Sequence, residues 1–539
     1  VREGILQLGW TYSSSHYHKK TIEKLSHTFI KRLKQLIQHC CQKHNFGYTP
    51  SDFTLVSFTQ KDLDFTFGNI PSIENIYPLS PMQSGLLFQA LYAPDSDAYF
   101  VQGILAIEGQ LDLAALKRAW QAISDHHPIL RTGFVWENIS HPLQYVLEAA
   151  EVPFIVEDWQ GLEETEKEKK LTILIQEDRK KGFNLSRAPL FRVHLIQYSS
   201  EEYRLIWSQH HILLDGWCLP IVLGGVFEAY EALKKGREVN FKSPRPYRDY
   251  IGWLQQQDMG QAEIFWKDYL KNVEGPTRLS FKEVIKSNPE RDYDTHSLFL
   301  SKEETEEIKR FAKEHNLTLN TIIQGAVGIV LKTYTQQREV LMGVTVSGRN
   351  IDLPGIEDMV GLFINTLPLR ITAEPGESIF SFLGRFQDHM QELNSYAYTP
   401  LAQIQSWSGI NQSLFDVLFV FENYPFGDST HQQDTGFRIK EFQGIEKTEY
   451  PLTVMVGPGE KIYLNLGYQT AHFNEETIKR FAAHVKQALQ GILQYTKDSP
   501  PTSIDAIPLL TSEEEKQILM SWNDTKTEYP SDKTIHQLF

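Results

Sequence analysis

Apolar positions along the chain follow two rhythms that alternate. In "LAALKRAWQAISDHH" (113–127), Leu113, Leu116, Trp120 and Ile123 recur at three- and four-residue steps, which predicts a helix with one apolar face. "SPMQSGLLFQALYA" (80–93) reads the same way, and "KEETEEIKRFAKEHN" (302–316) as a charged surface helix. "TLNTIIQGAVGIVLKTYT" (318–335) is apolar on most sides and predicts a buried helix. Between these lie strand patterns. "YFVQGILAIEG" (99–109) alternates as a half-buried strand, and "APLFRVHLIQYS" with "YRLIWSQHHIL" forms a hairpin around "SSEE" (199–202). "REVLMGVTVSG", "LFINTLPLRIT" and "FDVLFVFENYP" supply strands after residue 337. Helices and strands are interleaved in loosely similar order in both halves. The expected class is α/β, in two lobes that part near residues 250–290.

The pattern also echoes itself. "ILQLGWTYSSSHYHKKTIEKLSHTFIKRLKQLIQHC" near the start matches "YLNLGYQTAHFNEETIKRFAAHVKQALQGILQYT" near the end. Each reads as a strand, Leu-Gly-aromatic, a polar turn, then an amphipathic helix; Ile478, Phe481, Val485, Leu489 and Leu493 mark the second helix. The spacing is too long for a solenoid repeat and suggests tandem related domains. The expected organisation is therefore a C-terminal remnant of a preceding domain (1–55), a linker (56–72), a first lobe (73–265), a second lobe (266–500), and a linker with the start of another domain (501–539). Within the last segment a short helix is expected over 512–522. The whole reads as an excised piece of something longer.

Composition narrows the partners. A net charge of −15 over 539 residues argues against nucleic acid or an anionic membrane surface. Cys40, Cys41 and Cys218 form neither a disulfide framework nor a CxxC metal pattern, and a reducing cytoplasm is the natural compartment. No apolar run approaches membrane-spanning length.

One stretch carries chemistry: "YRLIWSQHHILLDGWCLP" (203–220). His210 and His211 are neighbours on a strand, so they face opposite ways and share one metal ion poorly; with no HExxH anywhere, no metal site is expected. Gly216 and Trp217 end the stretch, leaving Asp215 near a turn. A carboxylate close to a strand-end histidine can fix its tautomer or its loop. If buried, Asp215 needs a cation, and "GVTVSGRN" (343–350) offers Arg349.

"HHILLDG" resembles the HHxxxDG motif of condensation domains of nonribosomal peptide synthetases, within the chloramphenicol acetyltransferase-like fold. Six further stretches resemble that family's motifs, in family order: "YPLSPMQSGLLFQ" (77–89), "HHPILRTGF" (126–134), "YRDYIGWL" (247–254), "GVTVSGRN" (343–350), "GLFINTLPLR" (361–370) and "YPLTVMVGP" (450–458). The resemblance covers about residues 73–500. Residues 1–55 resemble the tail of an epimerization or related condensation-type domain, and 512–539 the start of an adenylation domain.

The resemblance implies a V-shaped pair of lobes with a tunnel between them, and amide formation in antibiotic-type secondary metabolism. The amine of an acceptor aminoacyl thioester attacks a donor thioester. Both ride on phosphopantetheine arms of upstream and downstream peptidyl carrier domains, with no cofactor bound covalently here. His211 matches the active-site histidine, whose neutral imidazole can serve as base, positioning group or charge stabiliser. His210 should point away and support the strand. Asp215 should pair structurally with Arg349, and Gly216 should border the channel. Arg131 is either a buried structural cation or a surface arginine. Trp217, Ser347 and Asn365 are channel candidates, Asn365 equally a loop cap. "VLGGVF" (222–227) lacks the serine of a carrier motif. "SPMQSGLLF" and "HHILLDGW" look most like the subtype that takes a donor with a D-configured terminal residue, with Cys218 where such subtypes place serine. The alternatives are a silent platform that recruits carriers or tailoring enzymes, ester formation, or acceptor dehydration. The fragment is expected to be a cytoplasmic monomer.

Overall fold

The computed structural model describes residues 7–40, 47–70, 72–94, 96–273, 275–279, 292–422, 436–495, 503–528 and 530–539. It divides into two compact units, residues 1–71 and 72–539.

In the first unit the expected amphipathic helix forms over Lys19–Cys40, and none of its residues is buried. The strand expected just before it is not formed among residues 7–13. A strand depends on partners, and the described part of this unit contains no other strand. Cys41 lies outside the described residues. The linker expected over 56–72 contains a helix, Gln60–Phe67, with Leu63 and Phe67 buried. Its cause is local: Thr59 and Asp62 form a capping box at its start.

The second unit is α/β with three sheets. A small antiparallel sheet has the order Ile73–Pro78, Leu143–Leu147, Thr132–Val135. The first lobe's main sheet runs Phe437–Ile445, Phe100–Gly109, Glu202–His210, Phe191–Gln197, Phe154–Asp158. The second lobe's sheet runs Asn365–Thr372, Glu339–Val346, Val417–Phe421, Leu452–Gly457, Tyr463–Gln469, Tyr293–Phe299. The predicted helices form at Pro81–Tyr92, Leu113–His126, Lys302–His315 and Leu319–Thr335. In the last of these every residue from Thr321 to Leu331 is buried. The hairpin pairs Phe191–Gln197 with Glu202–His210, antiparallel. The echo's second copy is strand Tyr463–Gln469 and helix Glu475–Leu493, with Ile478, Phe481, Val485 and Leu489 buried.

Three expectations change. Strand Phe100–Gly109 is not half-buried: positions 102 to 107 are buried, so side chains on both faces are covered, and a strand pairs on each edge. Its buried Gln102 is accommodated by donating to Asp178 (3.0 Å). The cut at 265/266 falls inside helix Met259–Tyr269, whose Ala262 and Trp266 belong to the second lobe's core; Ile504 and Ile507, placed in the far linker, join that core too. Finally, strand Phe437–Ile445 leaves the second lobe and pairs antiparallel along Phe100–Gly109, from Phe437 opposite Gly109 to Ile445 opposite Gln102. Tyr424 and Pro425 of the strand expected at 415–425 lie outside the described residues, as does Asn423; strand Val417–Phe421 forms.

Candidate active site

Strand Glu202–His210 ends at the first histidine, and the chain turns at His211. That turn separates the two rings. His210 Nδ1 accepts from the Ile212 N–H (3.2 Å), and the residue borders a cavity of about 970 Å³ including its open part, beside Phe183 and Trp136. Burial, then the neighbouring imidazole, pushes its pKa down to about 3, so this ring is neutral. His211 borders a different cavity, of about 1000 Å³ including its open part, whose walls come from both lobes. Tyr99 lies on both cavities.

Tyr99 also fixes His211. The His211 N–H donates to the Tyr99 carbonyl (2.8 Å), and the Tyr99 N–H donates to the Lys447 carbonyl (3.0 Å). Tyr99 adopts φ +64°, a region costly for an aromatic residue, and so holds strain at the centre of the site. The link to Lys447 brings in a residue that motif reading missed. Glu446, the first residue after the crossing strand, places Oε1 3.3 Å from His211 Nε2. Burial opposes charge on His211, but the Glu446 carboxylate outweighs it and pushes the pKa up to about 9. On Glu446, burial again opposes charge and the imidazolium prevails, lowering the carboxyl below its ordinary range. The pair therefore favours the imidazolium form of His211 in the free cavity, and a base role requires that proton to leave first. The other ring nitrogen, Nδ1, has no partner of good geometry, though the residue's own main-chain carbonyl favours the protonated ring.

Asp215 and Arg349 meet across the lobes. Arg349 Nη2 lies 3.2 Å from Asp215 Oδ1; Asp215 is buried and the Arg349 side chain largely so. Asp215 Oδ2 accepts from the Phe363 N–H (2.9 Å) and Oδ1 from the Cys218 thiol (3.2 Å). Arg349 also donates to the carbonyls of Ile356 (2.7 Å) and Met359 (3.0 Å), and its guanidinium lies 4.1 Å from the Phe363 ring centre. Cys218 sits within this cluster, its thiol pushed up by burial and by Asp215. Asp215 also edges the cavity.

Gly216, Trp217 and Ser347 line the His211 cavity. Asn365 does not. Its Nδ2 donates to the carbonyls of Ala397 (2.8 Å) and Thr399 (2.7 Å), so the amide ties down a loop and is spent there; its neighbours Ile364 and Thr366 line the cavity instead. Arg131 is a buried cation away from the cavity, paired with Glu74 (2.8 Å) and donating to the carbonyls of Ser124 and Leu147. Sequence reading had no purchase on Glu446: it precedes the "YPLTVMVGP" stretch and carries no pattern that points to a distant histidine. Among the described residues no cluster of side chains suits a metal ion, and no helix is long and apolar enough to cross a membrane.

Two lobes of mixed sheet, a shared cavity and one imidazole turned into it define a protein of the chloramphenicol acetyltransferase-like class. The family model described as Condensation domain matches residues 73–519, and the chain belongs to that family, the condensation domains of nonribosomal peptide synthetases. It is similar to bacitracin synthase 3 of Bacillus licheniformis, 36% identical over 98% of this chain and 8% of the relative. It is likewise similar to gramicidin S synthase 2 of Aneurinibacillus migulanus, 35% identical over 87% of this chain and 10% of the relative. The chain thus spans a small fraction of the relatives it matches. Among solved structures, the X-domain from teicoplanin biosynthesis has a TM-score of 0.68 at 21% identity, covering 80% of this chain and 97% of that one. The first condensation domain of the CDA synthetase has a TM-score of 0.67 at 18% identity, covering 81% and 99%. At that identity these two speak to the fold.

Proposed function

We propose that this chain joins two carrier-bound substrates by an amide bond in its interlobe cavity, with His211 at the reacting centre. The observation that carries the reading is the placement of His211: it lines a cavity walled by both lobes, and its main chain is held there by the Tyr99 carbonyl. A thioester is already activated, so holding an amine and a carbonyl in register supplies much of the acceleration. His211 adds a group that can take the amine's proton or stabilise the charged intermediate. The second cavity, beside His210 and across Tyr99, suits an approach from the opposite side, as two substrates on separate arms require. Gln209 Oε1 is buried on the His211 cavity without a partner, a waiting acceptor for an amide N–H such as a phosphopantetheine arm carries.

Asp215, Arg349 and Arg131 are structural in this reading, and Gly216, Trp217 and Ser347 border the substrates. Upstream and downstream carrier domains, an epimerization-type neighbour before residue 56 and an adenylation domain after residue 501 complete the proposed assembly. The donor's terminal residue is D-configured.

A reconstituted assay tests this. Donor and acceptor carriers are loaded with defined aminoacyl groups, the chain is added, and the carriers are followed by intact-protein mass spectrometry. Wild type is expected to transfer the donor acyl group, and His211→Ala to lose at least about 100-fold in rate, the usual range for a positioned base. Equal rates would remove His211 from the chemistry. D- and L-configured donors run in parallel test the stereochemistry; faster transfer from the L donor would reverse that assignment.

A second reading has one observation in its favour: His211 Nε2 is already occupied by Glu446. A silent platform would keep such a pair permanently. The teicoplanin X-domain, solved in complex with OxyB, shows that a protein of this fold can hold a partner protein. Absence of product from wild type with correctly loaded carriers would favour that reading.

A further inference from the structure

The cavity around His211 has a lopsided charge inventory. Asp215, Glu422 and Glu446 line it, and no lysine or arginine does so among the described residues. Asp215 is neutralised from outside the cavity by Arg349. Glu422 accepts from the Tyr463 hydroxyl (3.1 Å). Glu446 is different: the cation it pairs with is His211, whose charge can come and go.

Glu446 is also held firmly. Arg179 donates to the Ile445 carbonyl (3.4 Å) and pairs with Asp97 (2.8 Å), and Lys447 pairs with the same Asp97 (2.9 Å). The residues on either side of Glu446 are therefore anchored to the first lobe. A half-buried carboxylate beside the reacting centre is stabilised by a cation. Amide formation from thioesters brings one such cation to the centre: the α-ammonium of the acceptor.

We propose that Glu446 is the receptor for the α-ammonium of the acceptor aminoacyl group, exchanging its His211 partner for the substrate cation. This rests on the amide-forming reading and names the substrate group that Glu446 takes. The protons balance as follows. His211 releases its Nε2 proton to solvent as the ammonium arrives. The bound ammonium gives one proton to Nε2, and the freed lone pair forms the C–N bond to the thioester carbonyl. The nitrogen's second proton passes to the departing thiolate as the C–S bond breaks. The products are an amide, a thiol and a protonated His211, which returns to its pair with Glu446. The ion pair of the free cavity is thus the resting state of the cycle.

The test uses the full chain and two stable probes, L-alanyl and propionyl amides of aminopantetheine, which differ in the ammonium. By calorimetry, wild type is expected to prefer the alanyl compound by about tenfold or more, the worth of a charge-assisted hydrogen bond. Glu446→Gln should erase the preference, and Glu446→Asp should keep part of it; circular dichroism melting confirms that both variants fold. In the carrier assay with the acceptor supplied as an L-alanyl thioester of N-acetylcysteamine, Glu446→Gln should raise the acceptor KM about tenfold or more, with a smaller change in kcat. Equal binding of the two probes by wild type, binding of neither, an unchanged preference in Glu446→Gln, or a fall in kcat at constant KM overturns the proposal. Amide production by wild type reads the underlying function separately, so the two can fail independently.

Discussion

Two adjacent imidazoles take opposite protonation states here, and the difference comes from one carboxylate. His210 is buried, and burial, then the neighbouring His211, pushes it down to about 3. His211 is buried against Glu446 and rises to about 9, with Asp215 adding a smaller pull in the same direction, while the charge of Arg179 helps to lower Glu446. The sign of the linkage follows. A histidine raised above its ordinary 6.5 contributes stability that is fully present below about 6.5 and is lost as pH rises through about 9. Glu446, lowered from 4.5, contributes stability above that value and loses it as pH falls. Proton NMR of the free chain is expected to show one ring titrating near 9 and one that stays neutral down to the limit of folding. In Glu446→Gln the raised ring should fall well below about 9, since burial is then opposed only by Asp215 and the residue's own backbone; a ring still titrating near 9 would place the source of the shift elsewhere. Motif reading singled out His211 through the residues around it. It could not find Glu446, because the contact depends on where a strand far along the chain is delivered. For Asn365 it left both possibilities open, and only the positions of Ala397 and Thr399 turn the amide away from the cavity.

At the scale of elements, the site is built where regular structure stops. His211 follows the end of strand Glu202–His210, Asp215 precedes helix Cys218–Lys234, and Arg349 follows strand Glu339–Val346. The Asp215–Arg349 pair therefore joins the tips of two lobes, with the Phe363 N–H and Cys218 thiol filling the remaining oxygen positions. Breaking such a pair from one side strands the other charge in the interior. Asp215→Ala is expected to cost about 3–5 kcal/mol, measured by urea denaturation. Asp215→Asn, which keeps an acceptor for the Phe363 N–H, should cost less. A loss under about 1 kcal/mol for Asp215→Ala would mean that the pair is not the buried contact described. The helices were legible because their faces differ: Leu116, Trp120 and Ile123 point inward from Leu113–His126, with charges opposite. Strand Phe100–Gly109 was legible as a strand but not in its burial. Alternation reports one covered face, whereas this strand is covered on both, and its inward polar residue is satisfied by an aspartate on the helix Glu164–Lys181.

The two lobes are not separable pieces of chain, and this is the feature that periodicity reads least well. Strand Phe437–Ile445 has mostly exposed or half-exposed side chains, so its sequence carries little signal for a neighbour. What holds it is backbone pairing along Phe100–Gly109, helped by ion pairs from Arg438 and Lys440 to Glu108 and from Lys447 to Asp97. The exposed pairs add little individually. Lys447 is different, since it sits at the end of the ladder nearest the site, on an aspartate shared with a buried arginine. Without the crossing strand, Phe100–Gly109 becomes an open edge of a sheet buried on both faces, exposing hydrogen-bonding groups that the fold otherwise pairs. The strand thus belongs to the first lobe's cooperative unit and delivers Glu446 to it. Hydrogen exchange followed by mass spectrometry can measure this in Lys447→Ala. Exchange is expected to rise about tenfold over 437–447, with a parallel rise over 100–109, while Glu339–Val346 in the second lobe keeps its protection. Protection retained over 100–109 while 437–447 opens would show a detachable edge. In that case the contact between Glu446 and His211 would depend on a docking equilibrium rather than on the fold itself.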